Sequence, residues 1–283
     1  MNILTFDIEE WFHFLDNAST KTENQWQNYE VRIHQNMDRI FEVLETTNTK
    51  ASFFVLGWIA EKYPEVVREI CNRGHNIGSH GTSHQLVYEQ SKDIFRLDVD
   101  RSIKTLEDIS GKKITMFRAP GFSITEKNKW AFEVLYELGI EIDSSVFPAN
   151  RAHGGMPSYG IAQPSILEYN GIQLKEFPVD THNVMGKSFV YSGGGYFRLM
   201  PYSLIKKWTA ADNYVMSYMH PRDLDANQPM LWDLSMVRKF KCYVGLNSAQ
   251  HKFTKWLTDF EFIDLNTASK RMDWHKAEIV NLD

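Results

Sequence analysis

The chain begins with a short apolar run, Ile3-Leu4-Thr5-Phe6, which predicts a buried strand and leads into three carboxylates, Asp7, Glu9 and Glu10, and two aromatics, Trp11 and Phe12. Residues 13–30 are polar and irregular and predict a long loop at that strand's C-terminal edge. Over 31–46 the apolar residues Ile33, Met37, Ile40, Phe41 and Leu44 recur at helical spacing. Residues 51–57 are almost continuously apolar, as a strand covered on both faces is, and a helix is predicted over 58–72 with Gly74 at its left-handed cap. A third strand over 75–80 follows. The clearest amphipathic helix covers 91–109, with Ile94, Leu97, Val99, Ile103, Leu106 and Ile109 as its apolar positions. A strand at 115–117, a helix at 126–138 closed by Gly139, and a strand at 140–143 complete the regular part.

This alternation predicts parallel strands joined by crossover helices, an α/β arrangement closed into a barrel. In such a fold chemistry collects at the C-terminal ends of strands, where Asp7, His80, Arg118 and Asp143 all fall. The pattern then loosens. Asn170-Gly171, between apolar stretches at 166–169 and 172–174, signals a β-hairpin and hence an antiparallel insertion or irregular closure. The run Gly193-Gly194-Gly195-Tyr196-Phe197-Arg198 reads as a loop near the rim, since it lacks the Gly-Lys-Ser/Thr ending of a phosphate loop. A helix over 201–211 precedes a strand over 214–219 that ends at His220. Residues 234–265 predict two helices and a last strand, and the final eighteen residues are polar and uninformative. With no repeat or linker, residues 1–283 are expected to form one domain, its chemistry within 3–225.

Composition narrows the function. A net charge of −5 gives no electrostatic reason to expect nucleic acid, and no block of basic residues suggests an anionic membrane surface. No stretch approaches the apolar length of a membrane span. Cys71 and Cys242 are too few and too distant for a disulfide framework, and Met1-Asn2 leads straight into the first strand, so a cytoplasmic address with reduced thiols is the expectation. The aromatic share of 13% suggests that some rings line a groove, because sugar faces stack on them.

The candidate chemistry starts from His80 and His84. Two imidazoles four apart converge on one ion when a strand ends at the first of them, and a carboxylate from the first strand would complete an open, catalytic coordination set. Zinc is the default metal, with iron, cobalt, nickel and manganese also compatible. Strand phase puts Asp7 and Glu9 on one side and Glu10 on the other, so one of Asp7 and Glu9 can ligate while the other stays free as a base. A kink after Ile8 would exchange the roles of Glu9 and Glu10. Arg118 is suited to holding a catalytic carboxylate ionised, and His220, with an acidic partner such as Asp143, to acting as a general acid. His13, His34, His75 and His153 belong to no such constellation.

The stretches Thr5-Phe6-Asp7, His80-Gly-Thr-Ser-His84, Arg118-Ala-Pro-Gly-Phe122, Asp143-Ser-Ser and Met219-His220 resemble the five ordered motifs of the polysaccharide deacetylase (NodB homology) family of metal-dependent carbohydrate esterases. The resemblance implies a distorted (β/α)7-type barrel and removal of N-acetyl groups from an amino-sugar glycan or its precursor. It further implies Asp7 as base, His80 and His84 as ligands, Arg118 orienting Asp7, His220 as acid assisted by Asp143, and the Gly121 amide as an oxyanion donor. Where the family places an adjacent Asp ligand, this chain has Ile8. Its Asp-Ile-Glu-Glu-Trp-Phe start is similar to a bacterial surface-polysaccharide subgroup in which the metal carboxylate is displaced, which favours Glu9 over Glu10. Trp11, Phe122 and Tyr196 are the candidate saccharide-facing rings. The competing expectations are an amidohydrolase of cyclic ureides or imides on the same scaffold, and a catalytically inactive glycan-binding module.

Overall fold

The first apolar run forms β1 (Asn2–Ile3) and β2 (Thr5–Ile8), one strand line whose partner changes at Leu4. The computed structural model describes residues 1–15, 17–151, 153–184 and 187–283. After β2 comes the expected irregular stretch, with Asp16 outside the described residues and a one-turn helix α1 (Glu23–Trp26) near its end. α2 (Ile33–Thr46) starts where the Glu10 carboxylate accepts from the Arg32 and Ile33 amides at 2.8 and 2.9 Å. Beyond β3 (Ser52–Val55) the expected single helix is two, α3 (Gly57–Lys62) and α4 (Pro64–Asn72). Pro64 lacks the amide that a continuous helix needs, and the residue before it, Tyr63, leaves the helical region for φ −134°, ψ 61°.

β4 (Asn76–Ser79) leads to α5 (Lys92–Ser110), which begins under the Ser91 hydroxyl and ends at Gly111 with φ 65°. Its buried face holds Phe95, Val99, Ser102, Ile103 and Leu106, while Ile94 and Leu97 are exposed. The apolar pattern misplaced the face because Ser102, buried against Ser79 through a 2.8 Å hydrogen bond, belongs to it. β5 (Met116–Phe117), α6 (Trp130–Glu137) and β6 (Ile142–Asp143) follow. β7 (Ser165–Tyr169) and β8 (Ile172–Glu176) are the hairpin that Asn170-Gly171 predicts, both turn residues having positive φ. A second hairpin joins β9 (His182–Val184) and β10 (Lys187–Phe189).

The triple-glycine stretch is not a loop: Gly194–Leu199 is helix α7. Its glycines serve close packing rather than flexibility, since a Cβ on Gly193 or Gly195 would lie 2.4 Å from the Tyr218 carbonyl or 2.9 Å from that of Lys241. α8 (Tyr202–Ala211), β11 (Val215–Met216), α9 (Met236–Tyr243) and α10 (Leu246–Asp259) come next. The polar tail carries structure that its composition hides, α11 (Leu265–Arg271) and β12 (Glu278–Asn281), the latter pairing in parallel with β7.

The main sheet runs β12-β7-β8-β6-β5-β4-β3-β2, and every neighbouring pair from β2 to β6 and on to β8 is parallel. Past β2 the sheet continues, because β1 pairs in parallel with β11 and Phe6 bridges to Met219. Between β8 and β11 the ring is joined largely by side chains. Buried Asp180 accepts from the Met216 amide at 2.9 Å and the Ser192 hydroxyl at 2.7 Å, and the Tyr214 hydroxyl donates to the Pro178 carbonyl at 2.6 Å. This seam is where the α/β barrel is distorted. Asp180→Ala, which strands two buried donors, should lower the unfolding free energy by about 2–4 kcal/mol in chemical denaturation. Asp180→Asn, which keeps an acceptor oxygen, should cost less; equal and negligible losses would show that the seam does not depend on this side chain.

Candidate active site

Chain direction after β2 separates the two glutamates. Glu9 turns into the barrel mouth, its Oε2 2.5 Å from His84 Nε2. Glu10 turns out to the start of α2, where burial lifts its pKa to about 7 against the pull of the Arg32, Ile33 and Trp11 amides. Glu10 is therefore the cap of α2, and the alternative that made it a ligand is set aside by geometry. Glu9, His80 and His84, all buried, each present one donor atom within 4.8 Å of the others.

Both histidines are held in place by the surrounding chain. His80 Nδ1 is committed to the Arg118 carbonyl at 2.8 Å, which leaves Nε2 to face the cluster. Burial pushes the His80 pKa down to about 4, so its imidazole is neutral. His84 sits at φ 51°, an uncommon conformation for a non-glycine residue, in a loop fastened from outside. Asp98 on α5 accepts from the Thr82 and Ser83 amides at 2.8 and 2.9 Å. A Cβ on Gly81, at φ 71°, would lie 2.7 Å from the same carboxylate. Nothing in the linear pattern marked Asp98 out.

Asp7 is 3% exposed, and its Oδ1 accepts from Arg118 Nη1 at 2.8 Å. Arg118 has no exposure at all, and its guanidinium also reaches Thr5 and Ser144. His220 Nε2 stands 3.9 Å from Asp7 Oδ2 and 3.9 Å from Glu9 Oε1, close to both carboxylates but beyond a direct hydrogen bond.

The expected partner of His220 is wrong. Its Nδ1 meets Asp223 Oδ2 at 2.9 Å, and Asp223 lies 3.0 Å from Arg198 Nε. Burial alone would lower the His220 pKa; the Asp223 hydrogen bond and charge, with Glu9 and Asp7 behind them, carry it up to about 9. Burial would likewise raise Asp223, but Arg198 and His220 hold it at about 2. Asp143 is instead enclosed under the site, taking the Ser145 hydroxyl at 2.7 Å; burial raises its pKa, and burial with the Asp143 charge pushes that of neighbouring Glu176 well above the usual carboxylate range. Three residues beyond His220, Asp223 was within reach of sequence reasoning; its spacing fits the short helical turn Pro221–Leu224.

The aromatic candidates divide. Trp11 is 3% exposed, packs on Phe12 and Tyr29 and gives its indole N–H to the Glu30 carbonyl at 2.9 Å, so it is core rather than a substrate ring. Phe122 is likewise buried, against Phe147 and Tyr218. Tyr196 is half-exposed on α7. A cavity of about 280 Å³ opens instead beside His84, with Phe14, Leu15, Trp26 and Leu86 among its walls. Gly121 adopts φ 62° beneath Leu15, whose Cδ1 would lie 2.6 Å from any Cβ there. His13, which the sequence left outside every constellation, is buried with its ring 5.8 Å from that of His84.

Residues 4–141 match the family model described as polysaccharide deacetylase, and residues 144–270 match a domain of unknown function. The N-terminal part of the chain is thus similar to the polysaccharide deacetylase family. A peptidoglycan-N-acetylglucosamine deacetylase of Bacillus cereus is 36% identical over 34% of this chain, a match that spans only 35% of that relative. A candidate polysaccharide deacetylase from Mycobacterium smegmatis superposes with a TM-score of 0.65 at 17% identity, over 99% of this chain and 92% of the other. A CE4 family pseudoenzyme from Bacillus anthracis has the same fold, with a TM-score of 0.51 at 11% identity over 99% and 69% of the two chains.

The two matched regions contribute strands to one sheet. Their boundary falls at β6, inside one sheet, and His220 and Asp223 come from the second region to face Asp7, Glu9 and the histidines of the first. Replacing Asp223 with Asn removes the charge that raises His220, so the imidazolium should lose its proton at lower pH. The alkaline limb of kcat/KM should then move down by roughly one unit or more; an unmoved limb with unchanged kcat would remove Asp223 from this role.

Proposed function

We propose that the protein is a metal-dependent hydrolase that removes N-acetyl groups from an amino-sugar glycan. The observation that carries this reading is the joint placement of an Arg-held aspartate, a Glu–His–His donor set and an Asp-held imidazolium around one mouth. The donor set fits a divalent ion: two imidazole nitrogens and one carboxylate oxygen, closely spaced and buried, with zinc the default occupant. When bound, such an ion polarises an amide carbonyl and makes water a better nucleophile near neutral pH.

The rest falls to the chain's own residues. Asp7, with one oxygen occupied by Arg118, has Oδ2 free to take a proton from the attacking water. His220, charged through Asp223, gives a proton to the departing amine nitrogen, without which the C–N bond does not break. The Gly121 amide is the proposed oxyanion donor, and Tyr196 and Phe14 are the rings available to a sugar face. The inactive-module reading has less support here, because base, donor set and acid are all present together.

The test is acetate release from N-acetylglucosamine oligomers and peptidoglycan fragments. Asp7→Asn should retain metal yet lower turnover by about 10²–10⁴-fold, whereas His80→Ala and His84→Ala should lose the metal by elemental analysis. Asp98→Ala, which frees the ligand loop, should weaken metal affinity by about 10–100-fold. Ring opening of cyclic imides without acetate release would overturn the reading in favour of the other amidohydrolase.

A further inference from the structure

Helix α9 breaks the rule that the rest of the fold obeys. None of its residues is buried, although Met236, Val237 and Phe240 share one face and are 80, 65 and 58% exposed. The segment before it adds Met230 and Trp232, the latter 81% exposed, tied to the helix where the Lys239 ammonium donates to the Trp232 carbonyl at 3.0 Å. Single exposed apolar residues are ordinary; five in one short stretch are not.

The charge around this stretch is one-sided. From Leu234 to Thr258 the chain has five Lys or Arg, three of them on α9, and no Asp or Glu, although the whole protein carries a net charge of −5. Lys241 is exposed with no acidic partner among the described residues. A scan for a block of basic residues misses this feature because Arg238, Lys239 and Lys241 are interleaved with protruding apolar side chains. A second copy of the chain would set this cationic face against itself, which disfavours a symmetric dimer. Protruding Trp, Phe and Met flanked by Lys and Arg suit the boundary of an anionic bilayer, and no helix among the described residues is long and apolar enough to cross one.

We propose that α9 and the Met230–Trp232 segment form a docking surface for an anionic lipid bilayer. The surface is joined to the active site at two points. The carbonyls of Cys242 and Val244, at the end of α9, accept from Arg198 at 2.8 and 3.2 Å, and Arg198 is the cation beside Asp223, the partner of His220. Arg238 donates to the Leu15 carbonyl at 2.6 Å, and Leu15 covers Gly121 and walls the cavity beside His84. A bilayer seated on α9 would thus lie beside the site, within reach of a glycan held at a membrane surface. The docking claim stands apart from the hydrolytic reading, because it is read from vesicle binding and not from turnover.

The experiment is co-sedimentation of the full chain with phosphatidylcholine vesicles with and without phosphatidylglycerol. Binding should require phosphatidylglycerol and weaken at high salt. It should fall by about tenfold or more both in Trp232→Ser/Phe240→Ser and in Lys239→Glu/Lys241→Glu. Both variants should keep the wild-type circular dichroism spectrum and wild-type turnover of a soluble substrate. No binding to the anionic vesicles, equal binding to both compositions, or binding unchanged in both variants would overturn the proposal. So would a wild-type dimer that becomes monomeric in Trp232→Ser by sedimentation velocity.

Discussion

A guanidinium with no solvent exposure sits at the centre of the barrel, and much of the site follows from satisfying it. Removing an Arg side chain from water costs several kcal/mol unless its donors and charge are met. Arg118 meets Asp7 and Thr5 from β2 and Ser144 beyond β6, lies over the Phe54 ring of β3, and gives its carbonyl to His80 beyond β4. One residue thus sets the ring tilt of a histidine in the donor set and the position of the aspartate beside it. Asp7 is consequently the counter-ion of a buried cation, which keeps one of its oxygens occupied and aims the other at the mouth.

The same interior explains why Asp143 has no direct part at the mouth. Three carboxyls, Asp7, Asp143 and Glu176, share the neighbourhood of one Arg. Burial raises the pKa of both Asp143 and Glu176, and Asp7 is the one of the three that pairs directly with the cation. The charge needed at His220 comes from the other side, through Asp223 and Arg198, from a part of the chain matched only by a domain of unknown function. Regions that sequence comparison treats separately therefore bring their side chains to one mouth.

Much of this was legible in the sequence. Strand ends announced Asp7, His80, Arg118 and His220, because apolar runs that stop at polar residues mark both the edge of a core and the mouth of a barrel. The Asn-Gly hairpin was legible for the same local reason. What stayed hidden depends on contacts between distant segments. Glu9 and Glu10 differ only in which neighbour each meets, the triple glycine is dictated by the carbonyls of Tyr218 and Lys241, and Trp11 is core because Phe12 and Tyr29 enclose it. Asp98 holds the His84 loop from a helix where acidic residues are otherwise ordinary.

The most direct test is anomalous diffraction from crystals soaked with zinc. One strong peak is expected at bonding distance from Glu9, His80 Nε2 and His84 Nε2, with Asp7 still on Arg118 and outside the coordination sphere. A peak bound by Asp7 or Glu10, or no peak between the two histidines, would contradict that arrangement.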